Sequence, residues 1–158
     1  TMDSIWTMTA KQKERQPLRK NLSVDAAVIG GGIAGVLTAC FLEQLGMETV
    51  VLEAARLFSG QTKNTTVKIT LQHGLVYHKL TEKVGKEQAG LYAEANRAAI
   101  AQYRKMAEEE KMDCLFRNCN AYLYTRKEEE ALLKEEEAAK RAAKGLFTAT
   151  PRARQSVL

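Results

Sequence analysis

Hydrophobic positions change their spacing several times along this chain, and each change marks an element. Residues 1–23 show no period; they are polar and basic, with Pro17 as a breaker, and predict an irregular lead-in. Residues 24–29 form a short, largely apolar run that stops at three glycines. Such a run predicts a strand buried on both faces of a parallel sheet. Over residues 33–45 the apolar Ile33, Val36, Leu37, Cys40, Phe41 and Leu45 recur at three- and four-residue intervals, and Gly46 stands where a C-cap glycine belongs. That spacing predicts an amphipathic helix. Residues 49–52 are β-branched-rich and end at Glu53, which predicts a second buried strand. Strand, tight turn, helix and strand within about 30 residues make one βαβ unit.

Beyond it, residues 59–66 are small and polar and predict a loop. Residues 77–84 predict a short helix. Residues 86–111 predict a longer one, with Ala89, Tyr92, Ala99, Tyr103 and Met106 along one face. Residues 114–117 and 121–125 read as short strands joined by a hairpin turn at 118–120. Residues 127–144 predict another long helix, whose acidic start (Glu128, Glu129, Glu130) and basic end (Lys140, Arg141, Lys144) suit the helix dipole. Its charge runs read as a solvated surface. Gly145 ends it, and residues 146–158 show no period and read as a tail.

Composition adds bounds. The 158 residues suffice for one ordinary core, and 45% hydrophobic with 27% charged residues describes a globular chain rather than a disordered one. No apolar run approaches the ~20 residues of a membrane span, and residues 1–20 lack the apolar stretch of a secretory signal, so the cytoplasm is the expected compartment. The net charge of +5 lies at the ends. Residues 24–139 hold 14 basic and 17 acidic groups, which argues against a nucleic-acid surface. Cys40, Cys114 and Cys119 have no metal-ligand spacing and are expected to stay reduced, although Cys114 and Cys119 could meet across the hairpin. His73 and His78 have no companion ligand cluster, so no metal site is expected.

The chemistry concentrates at Gly30-Gly31-Gly32-Ile33-Ala34-Gly35, which contains G-x-G-x-x-G at Gly30, Gly32 and Gly35. A strand precedes it, a helix follows, and Glu53 lies 18 positions past the last glycine. Gly30 permits the tight turn, Gly32 lets backbone approach a pyrophosphate, and Gly35 lets the helix pack closely on the sheet, a contact Ala39 keeps small one turn later. The pyrophosphate would lie at the helix N-terminus, and Glu53 could accept hydrogen bonds from ribose hydroxyls. An acid at that position argues against NADP; the motif alone does not separate FAD from NAD.

Val28-Ile29-Gly30-Gly31-Gly32-Ile33-Ala34-Gly35, then Val51-Leu52-Glu53-Ala54, then Ser59-Gly60-Gln61-Thr62-Lys63-Asn64-Thr65-Thr66-Val67-Lys68-Ile69-Thr70 resemble the N-terminal region of FAD-dependent oxidoreductases of the D-amino-acid oxidase/glycine oxidase type. The likeness is greatest to the bacterial subgroup in which some members carry a C-terminal Rieske iron–sulfur domain. It runs from about Ser4 to about Lys144 and includes Gln72-His73-Gly74 and residues 121–125. The polar loop at 60–70 is the narrowest part of the likeness and tips the cofactor to FAD.

The resemblance implies an α/β fold, with a partial Rossmann-like FAD/NAD(P)-binding βαβ unit over 24–112 and a short β-hairpin entering a substrate domain over 113–145. It implies that Gly30, Gly32, Ile33, Ala34 and Gly35 sit against the FAD pyrophosphate and Glu53 against the ribose. Ala54 and Arg56 would border the adenine. Gln61, Thr62, Thr65 and Thr66 would approach the pyrophosphate, ribityl chain or flavin edge. It also implies a small-molecule amine or amino-acid substrate, oxidised at a C–N bond by hydride transfer to flavin. Such enzymes complete the FAD domain from a late segment of a longer chain, so this chain is expected to be an N-terminal portion, and no catalytic residue is assigned. A non-catalytic nucleotide-binding or interaction fragment and an NAD-dependent dehydrogenase are the alternatives; the 60–70 loop argues against the latter.

Overall fold

Among the described residues, a parallel pair of strands with one crossover helix, and separately a pair of long helices, are the main elements. The computed structural model describes residues 4–9, 13–66 and 68–143. Packing divides the chain into two compact units, residues 1–67 and residues 68–158.

In the first unit, β1 (Ala26–Ile29) pairs in parallel with β2 (Thr49–Leu52), Ala26 opposite Thr49 and Ile29 opposite Leu52. Asp25 closes the base of the pair: its N–H donates to the Glu48 carbonyl, and its carboxylate accepts the Glu48 N–H at 2.8 Å. The crossover is α2 (Ile33–Gln44), which lies against both strands and buries Ala39. Its end is a Schellman motif. The Met47 N–H donates to the Leu42 carbonyl and the Gly46 N–H to that of Glu43, which requires the left-handed φ of +83° that Gly46 adopts.

The expectation of strands buried on both faces is corrected here. Along β1 half-buried and exposed residues alternate, and Ile29 is 79% exposed. The physical reason is coverage: α2 is the one helix among the described residues packed against the strands, and a helix covers a single face. Leu18 and Leu22 of the lead-in border a shallow groove with Ala27, Val50 and Leu52. That lead-in also departs from expectation by forming a short helix, α1 (Ile5–Thr9).

In the second unit, α3 (Tyr77–Glu109) packs on α4 (Glu129–Ala142). Gly85 interrupts α3 with φ +86° and ψ 167°, so the backbone makes two helical segments, 77–84 and 86–109, divided where the sequence predicts. The core is small: Tyr77, Ala93, Ala138, Ala139 and Ala143, with Tyr92 set edge-on to Tyr77. Alanines let the helices approach closely. On the predicted face Ala89 is buried and Tyr92, Tyr103 and Met106 are half-buried, whereas Ala99 is exposed.

Two sequence expectations change in this unit. Residues 114–117 and 121–125 form no strands; they run irregularly, with Leu115, Tyr122 and Tyr124 exposed. A two-stranded hairpin without a third strand or a covered apolar face is marginal in water, and these residues have neither. The second change is Glu135, expected on a solvated surface but 1% exposed. Its Oε1 accepts hydrogen bonds from the N–H groups of Val76 and Tyr77 and from Gln72 Nε2, and its Oε2 accepts the His78 N–H. One carboxylate from α4 thus caps the start of α3, whose first N–H groups have no intrahelical partner. The other charged side chains of α4 do reach solvent, with ion pairs Glu130–Lys134, Glu136–Lys140 and Glu137–Arg141 one turn apart. Gly145 and the tail lie outside the described residues.

Candidate functional site

The turn between β1 and α2 is closely built at two of its glycines. A Cβ at Gly35 would stand 2.0 Å from the Gly30 carbonyl oxygen, and one at Gly31 would stand 2.3 Å from Leu57 Cδ2 and 3.1 Å from Glu53 Cβ. Gly30 turns with φ +103°, a conformation that disfavours any side chain, and the space beside it is open. The Gly30 N–H donates to the Leu52 carbonyl, which carries the ladder one residue past the end of β1 before the chain turns into α2.

Glu53, at the end of β2, folds back onto this turn. Its Oε2 accepts the Gly31 N–H at 2.8 Å and its Oε1 accepts the Ala55 N–H at 2.9 Å. These donors, Ala55 foremost and then Gly31, hold the exposed carboxyl below its ordinary value, so it is ionised at neutral pH. Each oxygen keeps a lone pair for a further donor. The Gly31 carbonyl accepts the Phe58 N–H at 2.8 Å, so both backbone groups of this buried glycine are tied to the segment after β2. Gly31 carries no role in G-x-G-x-x-G. The one sign of its importance in the sequence is a third glycine beyond the two that the turn needs.

The polar loop reaches the same place. Gln61–Asn64 forms a 3₁₀ turn, and Thr62 Oγ1 accepts the Ile33 N–H at 3.0 Å. Thr65 closes the turn, its N–H and hydroxyl both donating to the Thr62 carbonyl. Of the residues singled out in the sequence, Gly30, Gly32, Ile33, Ala34, Gly35, Glu53 and Thr62 therefore converge on the N-terminus of α2. Ala54 and Arg56 lie exposed on the loop after β2, and the Arg56 guanidinium pairs with Glu14 at 2.9 Å. Gln61 accepts a long hydrogen bond from Asn64, and Thr65 and Thr66 are exposed farther along.

The cradle has the chemistry of a dinucleotide site. It joins glycines whose Cβ atoms would collide, a helix start whose Ala34 and Gly35 N–H groups cannot bond within the helix, and a carboxylate beside them. The residues fit the group. Elsewhere, Cys40 is half-buried and Cys114 and Cys119 are exposed thiols. His78 Nε2 lies 3.5 Å from Glu82, one turn away. Among the described residues no group of three metal-ligating side chains comes together, and no helix is long and apolar enough to cross a membrane.

Comparison with known proteins agrees with this geometry. Residues 25–155 match the family described as FAD dependent oxidoreductase. The chain is 34% identical over 126 residues to YhfW of Bacillus subtilis (strain 168), named as a Rieske 2Fe-2S iron-sulfur protein; the match covers 80% of this chain and 25% of that protein. It is 46% identical over 57 residues to a pseudooxynicotine dehydrogenase of a Pseudomonas species, covering 35% of this chain and 12% of that protein. The chain thus spans about a quarter or less of these relatives' lengths. No solved structure matches it. With 131 of its 158 residues inside the family match, the chain belongs to the FAD dependent oxidoreductase family, whose cofactor is FAD.

Proposed function

We propose that this chain is the N-terminal, cofactor-holding part of an oxidoreductase that oxidises a C–N bond of an amine or amino acid. The observation that carries the reading is the convergence of the Gly30–Gly35 turn, the ionised Glu53 carboxylate and the Thr62 hydroxyl at one helix start. When bound there, FAD supplies the acceptor for the hydride that leaves the substrate carbon.

The chain's own residues bind and orient. Gly30 and Gly32 leave room for a pyrophosphate, toward which the Ala34 and Gly35 N–H groups and the helix dipole contribute. Thr62 accepts from Ile33 and keeps its hydroxyl proton to donate to a phosphate oxygen. Glu53, anchored by the Gly31 and Ala55 N–H groups, presents its remaining lone pairs to ribose hydroxyls. Ala54 and Arg56 lie beside the adenine, while Gln61, Thr65 and Thr66 lie toward the ribityl side. The similarity to a pseudooxynicotine dehydrogenase supports an amine as the substrate class.

Purified protein should take up FAD with a shift of the flavin absorbance bands. FAD should raise its stability by about 2.7 kcal/mol at a hundredfold excess over Kd. Stabilisation by NAD in preference to FAD, or unperturbed flavin bands, would sink the assignment. In the whole protein, anaerobic addition of amines should bleach the flavin, and a response to 2-hydroxy acids instead would overturn the substrate class.

A further inference from the structure

The lead-in helix has no part in the site as described, yet it touches it. We infer that Trp6 is a positioning residue for the cofactor cradle, an inference that rests on the FAD reading above. The half-buried Trp6 sits on α1, which lies against the Gln61–Asn64 turn, and its indole N–H donates to the Thr65 carbonyl at 3.0 Å. The Thr65 hydroxyl donates to the Thr62 carbonyl at 2.8 Å, and Thr62 Oγ1 accepts the Ile33 N–H at 3.0 Å. Four residues thus form one hydrogen-bonded relay from the lead-in to the first turn of α2.

Tryptophan suits the task, since its indole carries a single fixed donor that locks one carbonyl. The loop it holds is small-residue, polar and largely exposed, with little packing of its own to define where Thr62 points. Fixing that loop before the cofactor arrives removes ordering entropy from the binding step. The Glu14–Arg56 pair ties the lead-in to the same region a second time, but both side chains are about four-fifths exposed and the pair adds little.

Trp6→Phe keeps an aromatic ring and deletes the donor. In the full chain it should weaken FAD binding about fivefold, the scale of one neutral hydrogen bond. Thr62→Val should also weaken binding. Because Trp6 acts through Thr62, the double variant should bind within about twofold of Thr62→Val alone. A chain that binds no FAD sinks the site itself and this inference with it. A chain that binds FAD while Trp6→Phe binds equally well, or a double variant whose loss is the product of the single losses, sinks only the role of Trp6. The native chain offers a readout that needs no variant. Trp6 is the sole tryptophan, so bound FAD should quench its emission. Unchanged emission from flavin-loaded protein overturns the inference even where Trp6→Phe does not fold.

Discussion

Single residues in the cradle are under two kinds of constraint, one steric and one electrostatic. At Gly35 the constraint is steric, and the obstacle is the Gly30 carbonyl oxygen, a backbone atom that cannot swing aside. Gly35→Ala should therefore force the turn and α2 apart, costing about 2–3 kcal/mol of stability and most of the FAD affinity. Thermal denaturation alongside flavin titration would separate the two losses, and a variant as stable as the parent would contradict the close approach. Gly46→Ala is the informative control, because its cost comes from a φ of +83° with open space around it. At Glu53 the constraint is electrostatic. Donors at Ala55 and Gly31 lower its pKa below the ordinary 4.5, so its stabilising contribution is complete above that value and fades as pH falls through the lowered one. FAD affinity should accordingly stay level from pH 8 to 5 and fall only below 4.5, with Glu53→Gln flattening that limb. A drop centred near neutral pH would point to a different group.

At the scale of elements, the second unit turns on one buried carboxylate. Glu135 leaves α4 to cap α3, accepting three backbone N–H groups and the Gln72 amide. Gln72 in turn donates to the Gly74 carbonyl, and the Tyr77 hydroxyl donates to the Leu71 carbonyl, so residues 71–78 are bound into the helix pair. Removing the acceptor strands several buried donors at once. Glu135→Ala should cost about 3–5 kcal/mol, against less than about 1 kcal/mol for Glu137→Ala two residues on, whose partner Arg141 is exposed. Urea denaturation followed by circular dichroism would measure both, and equal losses would show that the cap carries no special weight. A helical period reveals which face of α4 is apolar. It does not reveal that one glutamate among many points inward, because the donors it satisfies lie 57 to 63 residues away in the chain.

Over the whole molecule, apolar surface is incompletely covered. Ile29 on β1, Leu45 at the end of α2, and Leu115, Tyr122 and Tyr124 in the irregular segment are each about three-quarters exposed or more. A two-stranded sheet with one helix against it leaves its second face incompletely covered, and exposed apolar surface binds partners or aggregates. The isolated chain should bind a hydrophobic dye such as ANS in its native state and scatter light increasingly with concentration. A sharp, reversible melt without dye binding would show the surface to be better covered than the fold implies.

Local chemistry made the βαβ unit legible without coordinates. A short apolar run gives way to period 3.6 at three glycines, Gly46 ends the helix, Glu53 follows β2, and Gly85 breaks α3, each being a property of a few adjacent residues. The G-x-G-x-x-G residues and Glu53 were visible in the same way. What only the tertiary structure decided depends on residues far apart in sequence. Gly31 is pinned by Glu53 and Phe58, Thr62 seats on Ile33, Trp6 reaches Thr65, and Glu135 is buried rather than solvated. The predicted hairpin failed for the same reason in reverse, since a strand's stability lies in the partner beside it and not in its own alternation.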